Sequence, residues 1–586
     1  DPYPSHPEGP VIVSHLIELL PPGAILILGG LLVPLLPGRV KPWAGVAFPV
    51  LGFAHLLALD KGFVQTLVVF GYELTPVRVD GLSLVFGYVF FIAAILGGIY
   101  GLGVRDGTQL TAALTYVGSA IGGVFAGDLI TLFIYWELTA VTSVFLVWAG
   151  RTERSARAGM RYLVIQVGSG VILLAGVIFH FVDTGSLAFD KLIGADGLLG
   201  SASLGVLLIF IAFGIKCAFP LLHNWLQDAY PESTATGTVY LSIFTTKMAV
   251  YALARGFPGT GVLIIIGAIM TAFPIFFAVI ENDLRRVLTY SLNNQLGFMV
   301  VGIGIGTELA LNGAAAYAFA NIIFEGLLFM AMGAVLLRTG TCLGSELGGL
   351  YKTMPWTAAL CIVGAASISA FPFLSGFVTK PLILDETAAG HHLVVYLMLL
   401  FASAGVFHHS GIKIPYFAFF AHDSGKRVKE APWYMMTAMV AMAFGCILMG
   451  VYPEILYRVL PYPMEYHPYT TTHIITQYQL LLFSALAFVF LQKTGLYPPE
   501  LRSVNLDFDW TYRRALPTVV GWAVSTGRII LDAVRAPVRG LLDRTSGLIY
   551  RLYGPEGVFA RTWTTGAIAF WAVVVLCGYL LYFMLR

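Results

Sequence analysis

Charge is scarce in this sequence. Only 11% of its 586 residues are Asp, Glu, Lys or Arg, against about 25% in an average soluble protein. With 58% hydrophobic residues and a mean hydropathy of +0.81, the chain reads as an all-α polytopic membrane protein. A net charge of +2 says nothing about nucleic acid; there is no basic domain, and no nucleic-acid partner is expected. Cysteine is equally scarce. The five residues Cys217, Cys342, Cys361, Cys446 and Cys577 lie singly in or beside apolar runs. No CxxC spacing occurs, so no iron–sulfur or zinc site is read, and no metal or cofactor is expected. The opening DPYPSHPEGP lacks a basic region before the first apolar run, so no cleaved signal is read.

What is abundant is apolar runs near the 20 residues a helix needs to cross a bilayer. Candidate spans lie at 16–36, 42–60, 82–103, 110–126, 128–149, 160–182, 204–229, 234–255, 261–281, 285–306, 309–337, 356–387, 393–420, 432–451, 473–493 and 564–585. Between 63 and 83 the pattern is short and partly alternating, as in a hairpin at the membrane surface. Basic residues gather in alternate loops: Arg39 and Lys41, Arg105, Arg151 to Arg161, Arg285 and Arg286, Arg338 and Lys352, and Lys426 to Lys429. By the positive-inside rule these loops are cytoplasmic and the N-terminus is outside.

Two spans are broken. One breaks at Ala218-Phe219-Pro220, just after Lys216. The other reads ISAFPFLSGFVTKPLILD, with Pro372, Gly376 and Lys380. Broken helices at corresponding places in two halves predict an inverted repeat with a pathway at mid-membrane. The organisation expected is N-terminal helices and hairpin over 1–109, repeats over 110–255 and 261–420, further core helices over 421–495, and a tail over 496–586. In the tail, Val520, Val524, Leu531, Val534, Val538, Leu541, Leu548 and Leu552 fall near one helical face. Arg528, Asp532, Arg535 and Arg539 fall on another. This stretch should lie in the cytoplasmic interface or along neighbouring helices. Pro537, Gly540 and Gly554 should bend or break it.

The stretch from Leu204 to Ala254 holds two lysines in apolar surroundings, Lys216 and Lys247, around a break and His223. Glu137, Glu325 and Lys380 each sit alone in another apolar span. Ionisable residues inside the membrane are costly and mark ion pathways. A carboxylate and a lysine that share such a site titrate together, which suits a proton relay. Each residue taken singly has a structural alternative: a carboxylate that joins helices, a lysine that snorkels or caps, a histidine that fills the break. Five in five separate spans are hard to explain that way. Asn321 shares a face with Glu325, one turn before it. His408, His409 and Lys413 either continue a polar route or form a solvated helix end.

These residues resemble the antiporter-like subunits shared by respiratory complex I and the Mrp-type multisubunit Na+/H+ antiporters, the D-type chain above all. The likeness covers roughly 75–490. DLITLFIYWEL is similar to the family's carboxylate helix and carries Glu137. KCAFPLLHNWLQDAY resembles K-x-A-x-x-P-x-H-x-W-L-P-D-A and carries Lys216, His223, Trp225 and Asp228. IFTTKMAVYALAR carries Lys247, and ENDLRRVLTYSLNNQLGFM and SAFPFLSGFVTK, with Lys380, match further segments. The resemblance implies a fourteen-helix core with two inverted five-helix repeats, each with a broken helix, here with extra C-terminal helices. It implies a proton-translocating subunit of a cation/proton antiporter in a bacterial inner membrane, with other membrane subunits as partners. Redox-driven complexes and proton-coupled inorganic carbon uptake use the same core. The implied relay is Glu137, Lys216, His223, Lys247, Glu325 and Lys380. Asp228, Asn321, His408 and His409 are secondary candidates, and no residue is catalytic. The chain departs from the pattern at NIIFEGLLF, where Asn321 replaces a His and Glu325 a Lys. Pro220 comes one residue early, Gln227 stands for a Pro, and Ala370 and Phe373 stand for a Gly and a Pro.

Overall fold

The computed structural model describes residues 20–194, 197–200, 202–501 and 505–586. The polar opening segment and the first residues of the first expected span lie outside the described residues. By internal contacts the chain divides after Asn505.

The first unit begins with α1 (Ala24–Leu32) and α2 (Lys41–Leu57). An antiparallel hairpin follows, β1 (Val64–Val69) paired with β2 (Tyr72–Arg78). Helices α3 (Gly81–Tyr100), α4 (Gly107–Phe125), α5 (Leu129–Trp148) and α6 (Glu153–Thr184) come next. The sequence sets their starts. Asp80, Asp106, Asp128 and Thr152 are N-caps whose side chains accept hydrogen bonds from the first-turn amides. Asp128 also accepts from Thr75 N at 2.8 Å, which ties the hairpin to α5.

The first expected break is present. Helix α7 (Leu204–Lys216) stops, and α8 (Asn224–Ala229) resumes after an irregular stretch. The span expected to run unbroken over 234–255 is in fact two helices, α9 (Ala235–Ile243) and α10 (Thr245–Gly256). The reason is Tyr116 of α4. Its hydroxyl accepts from Thr245 N at 2.9 Å and bonds Thr245 Oγ1 at 2.6 Å. A side chain inserted into the backbone ladder interrupts the helix there.

A second series repeats the first: α11 (Gly261–Ile280), α12 (Leu284–Ile305), α13 (Glu308–Thr339), α14 (Pro355–Ile368) and α15 (Ser375–Ala389), with its break between the last two. Helices α6 and α13 both have 32 residues and start 155 positions apart, at 153 and 308. The isolated bridges Asp128–Ala188 and Asp283–Leu343 are offset by the same amount. Both breaks hold two non-glycine residues at positive φ, Ala218 (60°) and Leu221 (71°) in one, Ala370 (57°) and Phe373 (69°) in the other. Such residues cost about 1–3 kcal/mol each and persist only where their surroundings enforce them.

Helix α13 is the central column. It packs against α3, α9, α12, α14, α15 and α17 (Trp433–Val451), and most of its residues, from Ala310 to Val335, are buried. Small residues let helices approach closely: Gly267 and Gly297 meet backbone to backbone between α11 and α12. Helix α16 (Leu393–Val406) runs into π-helical turns over Phe407–Lys413 and Tyr416–Phe420, and α18 (Thr471–Thr494) follows α17.

Sixteen spans were expected. Among the described residues nine helices are long and apolar enough to cross a bilayer by themselves. The remainder are short, interrupted or polar. Helix α12 is the clearest case, since Ser291, Asn293, Asn294 and Gln295 are all fully buried in it. The second unit holds α19 (Leu516–Tyr553) and α20 (Thr565–Met584), neither with a buried residue. Of the bend or break expected at Pro537, Gly540 and Gly554, no break occurs at the first two. The helix runs through both and ends at Gly554. A proline removes one amide hydrogen bond and crowds one turn, and the turns on either side stay helical here.

Asp80 joins the hairpin end of the first unit to α10. It caps α3 and pairs with Arg255 at 2.7 Å, whose side chain is 10% exposed. Burial alone would push the Asp80 carboxyl up, but Arg255, the Ser83 amide and Arg78 together hold it below the usual value. A depressed carboxylate contributes stability above its unfolded pKa and loses it as pH falls through the folded one. Asp80→Asn keeps a capping side chain and loses the ion pair, whereas Asp80→Ala loses both. Thermal unfolding in detergent should rank wild type above Asp80→Asn and that above Asp80→Ala, the last step about 1 kcal/mol. Equal midpoints for the three proteins would refute the assignment.

Candidate functional site

Lysines are tolerated inside this bundle because the backbone supplies acceptors. Lys216, on the last turn of α7, is fully buried. Its ammonium donates to Trp136 O and Thr139 Oγ1 of α5, both at 2.8 Å, and lies 4.3 Å from the Trp136 ring centroid. Glu137 lies between those two partners in the chain and is half-buried. Its Oε1 has no hydrogen-bond partner. It is held against Gly170 of α6, where a Cβ would overlap it. Lys216 and Glu137 are within electrostatic reach of each other but not in contact as an ion pair.

The middle of the site is Lys247 and Glu325, brought together from α10 and α13. Lys247 is fully buried and donates to Ser242 O at 2.8 Å, beside the interruption between α9 and α10. Glu325 is 1% exposed. Its Oε2 accepts from Asn321 Nδ2 at 2.7 Å, while Oε1 has no partner. Each feels the other's charge without direct contact. The one-turn spacing of Asn321 and Glu325 thus places a neutral donor on the carboxylate.

Beyond them, Lys380 on α15 is 2% exposed and donates to Ile368 O at 3.3 Å, the last carbonyl of α14 before the second break. The rings of Phe298 and Tyr317 lie 5.0 and 5.8 Å from its ammonium. The Tyr317 hydroxyl donates to Gln295 Oε1, and Gln295 Nε2 donates to Asn294 Oδ1 at 2.9 Å. Asn293 Nδ2 donates to Ala218 O at 3.2 Å, so α12 links the first break to this polar string. His409 is fully buried. Its Nδ1 bonds Ser410 Oγ at 2.8 Å, and Ser410 donates to Ser291 at 2.8 Å. The π-helical turn sets this geometry, and such turns often mark functional sites.

Three further sequence candidates have other neighbours. Asp228 forms a two-point ion pair with Arg161, at 2.7 and 3.0 Å. His223, 2% exposed, sits at the start of α8 with its ring 4.6 Å from that of Phe273. His408 is flanked by the rings of Phe488 and Tyr497. Lys413 is not a solvated helix end. It is fully buried, donates to Val279 O and Glu281 O at 2.7 and 2.6 Å at the end of α11, and pairs with Glu500 at 2.9 Å. Burial pushes the Glu500 carboxyl up, against the opposing pull of Lys413. Sequence reasoning missed Ser291, Asn294, Gln295, Tyr317, Ser410 and Glu500. The run SLNNQ inside an otherwise apolar span was the available signal for three of them. Among the described residues no three His, Cys, Asp or Glu side chains converge as a metal site.

With this geometry in view, the likeness to known proteins can be placed. The chain is 32% identical over 306 residues to the D-type chain of the Na(+)/H(+) antiporter of Alkalihalophilus pseudofirmus, covering 49% of this chain and 62% of that one. It is 29% identical over 287 residues to hydrogenase-4 component B of Escherichia coli, covering 45% and 43%. The matches thus span less than two thirds of either relative. In fold it is similar to the Mrp complex of Dietzia sp. DQ12-45-1b, with a TM-score of 0.76 at 23% identity over 89% of this chain and 60% of that one. The model of the NADH:quinone oxidoreductase/Mrp antiporter transmembrane family matches residues 126–407. That stretch holds both broken helices and the buried residues from Glu137 to Lys380, and over it the chain is similar to this family of membrane proteins.

Proposed function

We propose that this chain is the proton-translocating subunit of a multisubunit Na+/H+ antiporter, built with other membrane subunits into a bacterial inner membrane, its N-terminus outside. The carrying observation is that Lys216, Lys247, Glu325 and Lys380 come from four helices, are at most 2% exposed, and have no ion-pair contact with one another. Leaving a charge in a protein interior without a paired partner costs several kcal/mol, which selects against such residues unless they carry protons or ions.

The relay runs in steps. Glu137 and Lys216 admit or release a proton. Lys216 rests on Trp136 O and Thr139 Oγ1, and a swing toward the unpartnered Glu137 Oε1 changes how tightly each holds a proton. His223 and Lys247 carry it on, Glu325 is the mid-route site, and Lys380 the exit, with His409 and Ser410 beyond. Lys247 makes the same choice between Ser242 O and the unpartnered Glu325 Oε1. Where the resemblance expects a His and a Lys, Asn321 holds one oxygen of Glu325 and leaves the other for Lys247. The strained breaks move to gate these steps.

The likeness to hydrogenase-4 component B favours a second reading, in which the same relay serves a redox-driven complex. Copurifying chains distinguish the two: small antiporter subunits in one case, redox subunits in the other.

Two tests bear on the relay. Lys216→Ala and Glu325→Ala in the reconstituted complex should each slow proton transfer about tenfold or more, a barrier increase of ~1.4 kcal/mol or more. Unchanged exchange in both variants would sink the relay. Gly170→Ala places a methyl group where Glu137 Oε1 sits, whereas Gly168, two residues earlier, has open space around it. Transport should fall several-fold in Gly170→Ala and stay at the wild-type rate in Gly168→Ala. Equal rates in the two would remove Glu137 from the route.

A further inference from the structure

A crevice of about 630 Å³ opens between α1, the start of α2, α4 and α5, on the outside of the first repeat and away from the polar string. Its two ends differ in chemistry. At one end is Lys41, whose ammonium forms no hydrogen bond or ion pair among the described residues and lies at Gly107, at the start of α4. Thr108 and Thr111 line the same end, and the Thr111 hydroxyl is shielded and has no partner. The rest is apolar, lined by Ile27, Leu31, Leu138 and Phe145. Thr115 and Thr142 also border it, but their hydroxyls are bonded to their own helices, at Thr111 O and Leu138 O.

The surroundings of the polar end are basic. Arg39 and Arg105 are exposed and lie within two residues of Lys41 and Gly107 in sequence. The carboxylate beside them, Asp106, is engaged. It caps α4 through Thr108 N and pairs with Arg151 at 2.7 Å. The lining of α4 from Thr108 to Thr115 runs about 10 Å, at 1.5 Å per residue, most of the ~15 Å depth of one leaflet. A basic end at the height of the loops and an apolar slot reaching inward match a lipid with a negative headgroup, as basic pockets between transmembrane helices do generally.

We propose that this crevice is a binding site for one anionic phospholipid. The phosphate sits at Lys41, and an acyl chain lies between Leu31, Leu138 and Phe145. Leu138 follows Glu137 on α5, so the bound chain also supports the helix that presents the relay's first carboxylate.

The full chain, purified in mild detergent, is titrated with phosphatidylglycerol and with phosphatidylcholine and read by native mass spectrometry. Retention of phosphatidylglycerol should exceed that of phosphatidylcholine, and Lys41→Gln should cut that preference about fivefold, the worth of one basic residue at the membrane surface. A diazirine-bearing phosphatidylglycerol should label wild-type peptides at 107–115 and 138–145, a readout that needs no variant. Glycerol phosphate, which has no acyl chain, should not compete. Equal retention of the two lipids, an unchanged preference in Lys41→Gln, labelling elsewhere, or competition by glycerol phosphate would overturn the proposal. So would a photo-crosslinker at Thr108 that captures a protein chain in native membranes.

Discussion

An ammonium group in an apolar interior needs acceptors, and this protein supplies most of them where helices stop or are interrupted. Lys380 takes the last carbonyl before the second break, Ile368 O. Lys247 takes Ser242 O beside the interruption that Tyr116 causes. Lys413 takes the carbonyls at the end of α11. A continuous helix would have spent those carbonyls on its own ladder. The breaks, the lysines and the polar string of α12 are therefore one arrangement. The breaks free backbone groups that Lys247 and Lys380 occupy, Asn293 ties the first break to the string, and Lys216 instead takes Trp136 O and Thr139 Oγ1 of the unbroken α5.

The two repeats express this arrangement twice. Each break holds two residues at positive φ, three positions apart, although none of the four is glycine. Ala370 stands where the family resemblance expects glycine, and its φ of 57° is the left-handed conformation that glycine adopts without strain. The strain is kept in both halves, which argues that the broken geometry itself is needed. The halves differ in what they hold. The first break has its lysine before it and a half-buried carboxylate, Glu137, beside that lysine. The second has its lysine after it and histidine and serine beyond.

Much of this was legible in the sequence because the membrane makes polarity conspicuous. Glu137, Lys216, Lys247, Glu325 and Lys380 stand out as single ionisable residues in apolar runs, and prolines and a glycine mark the two breaks. Other features left weaker traces. The interruption at Phe244 comes from Tyr116, a tyrosine more than 120 positions earlier, so nothing local signals it. The Lys413–Glu500 pair joins a helix to a segment past the last core span. Helix α12 reads as an ordinary span, yet nearly every residue in it is buried, so its Ser, Asn and Gln residues never meet lipid. At Pro537 the sequence pointed to a bend or a break, and the helix continues without a break because one lost hydrogen bond is compatible with helical turns on both sides.

The central claim is that Glu325 changes its proton during turnover in response to Lys247. Infrared difference spectroscopy of the reconstituted complex, switched between resting and driven states, observes carboxyl protonation directly. The account predicts a carboxyl band that is absent in Glu325→Gln and altered in Lys247→Met. Sustained proton transport with no such band, or a band untouched by either substitution, would contradict it.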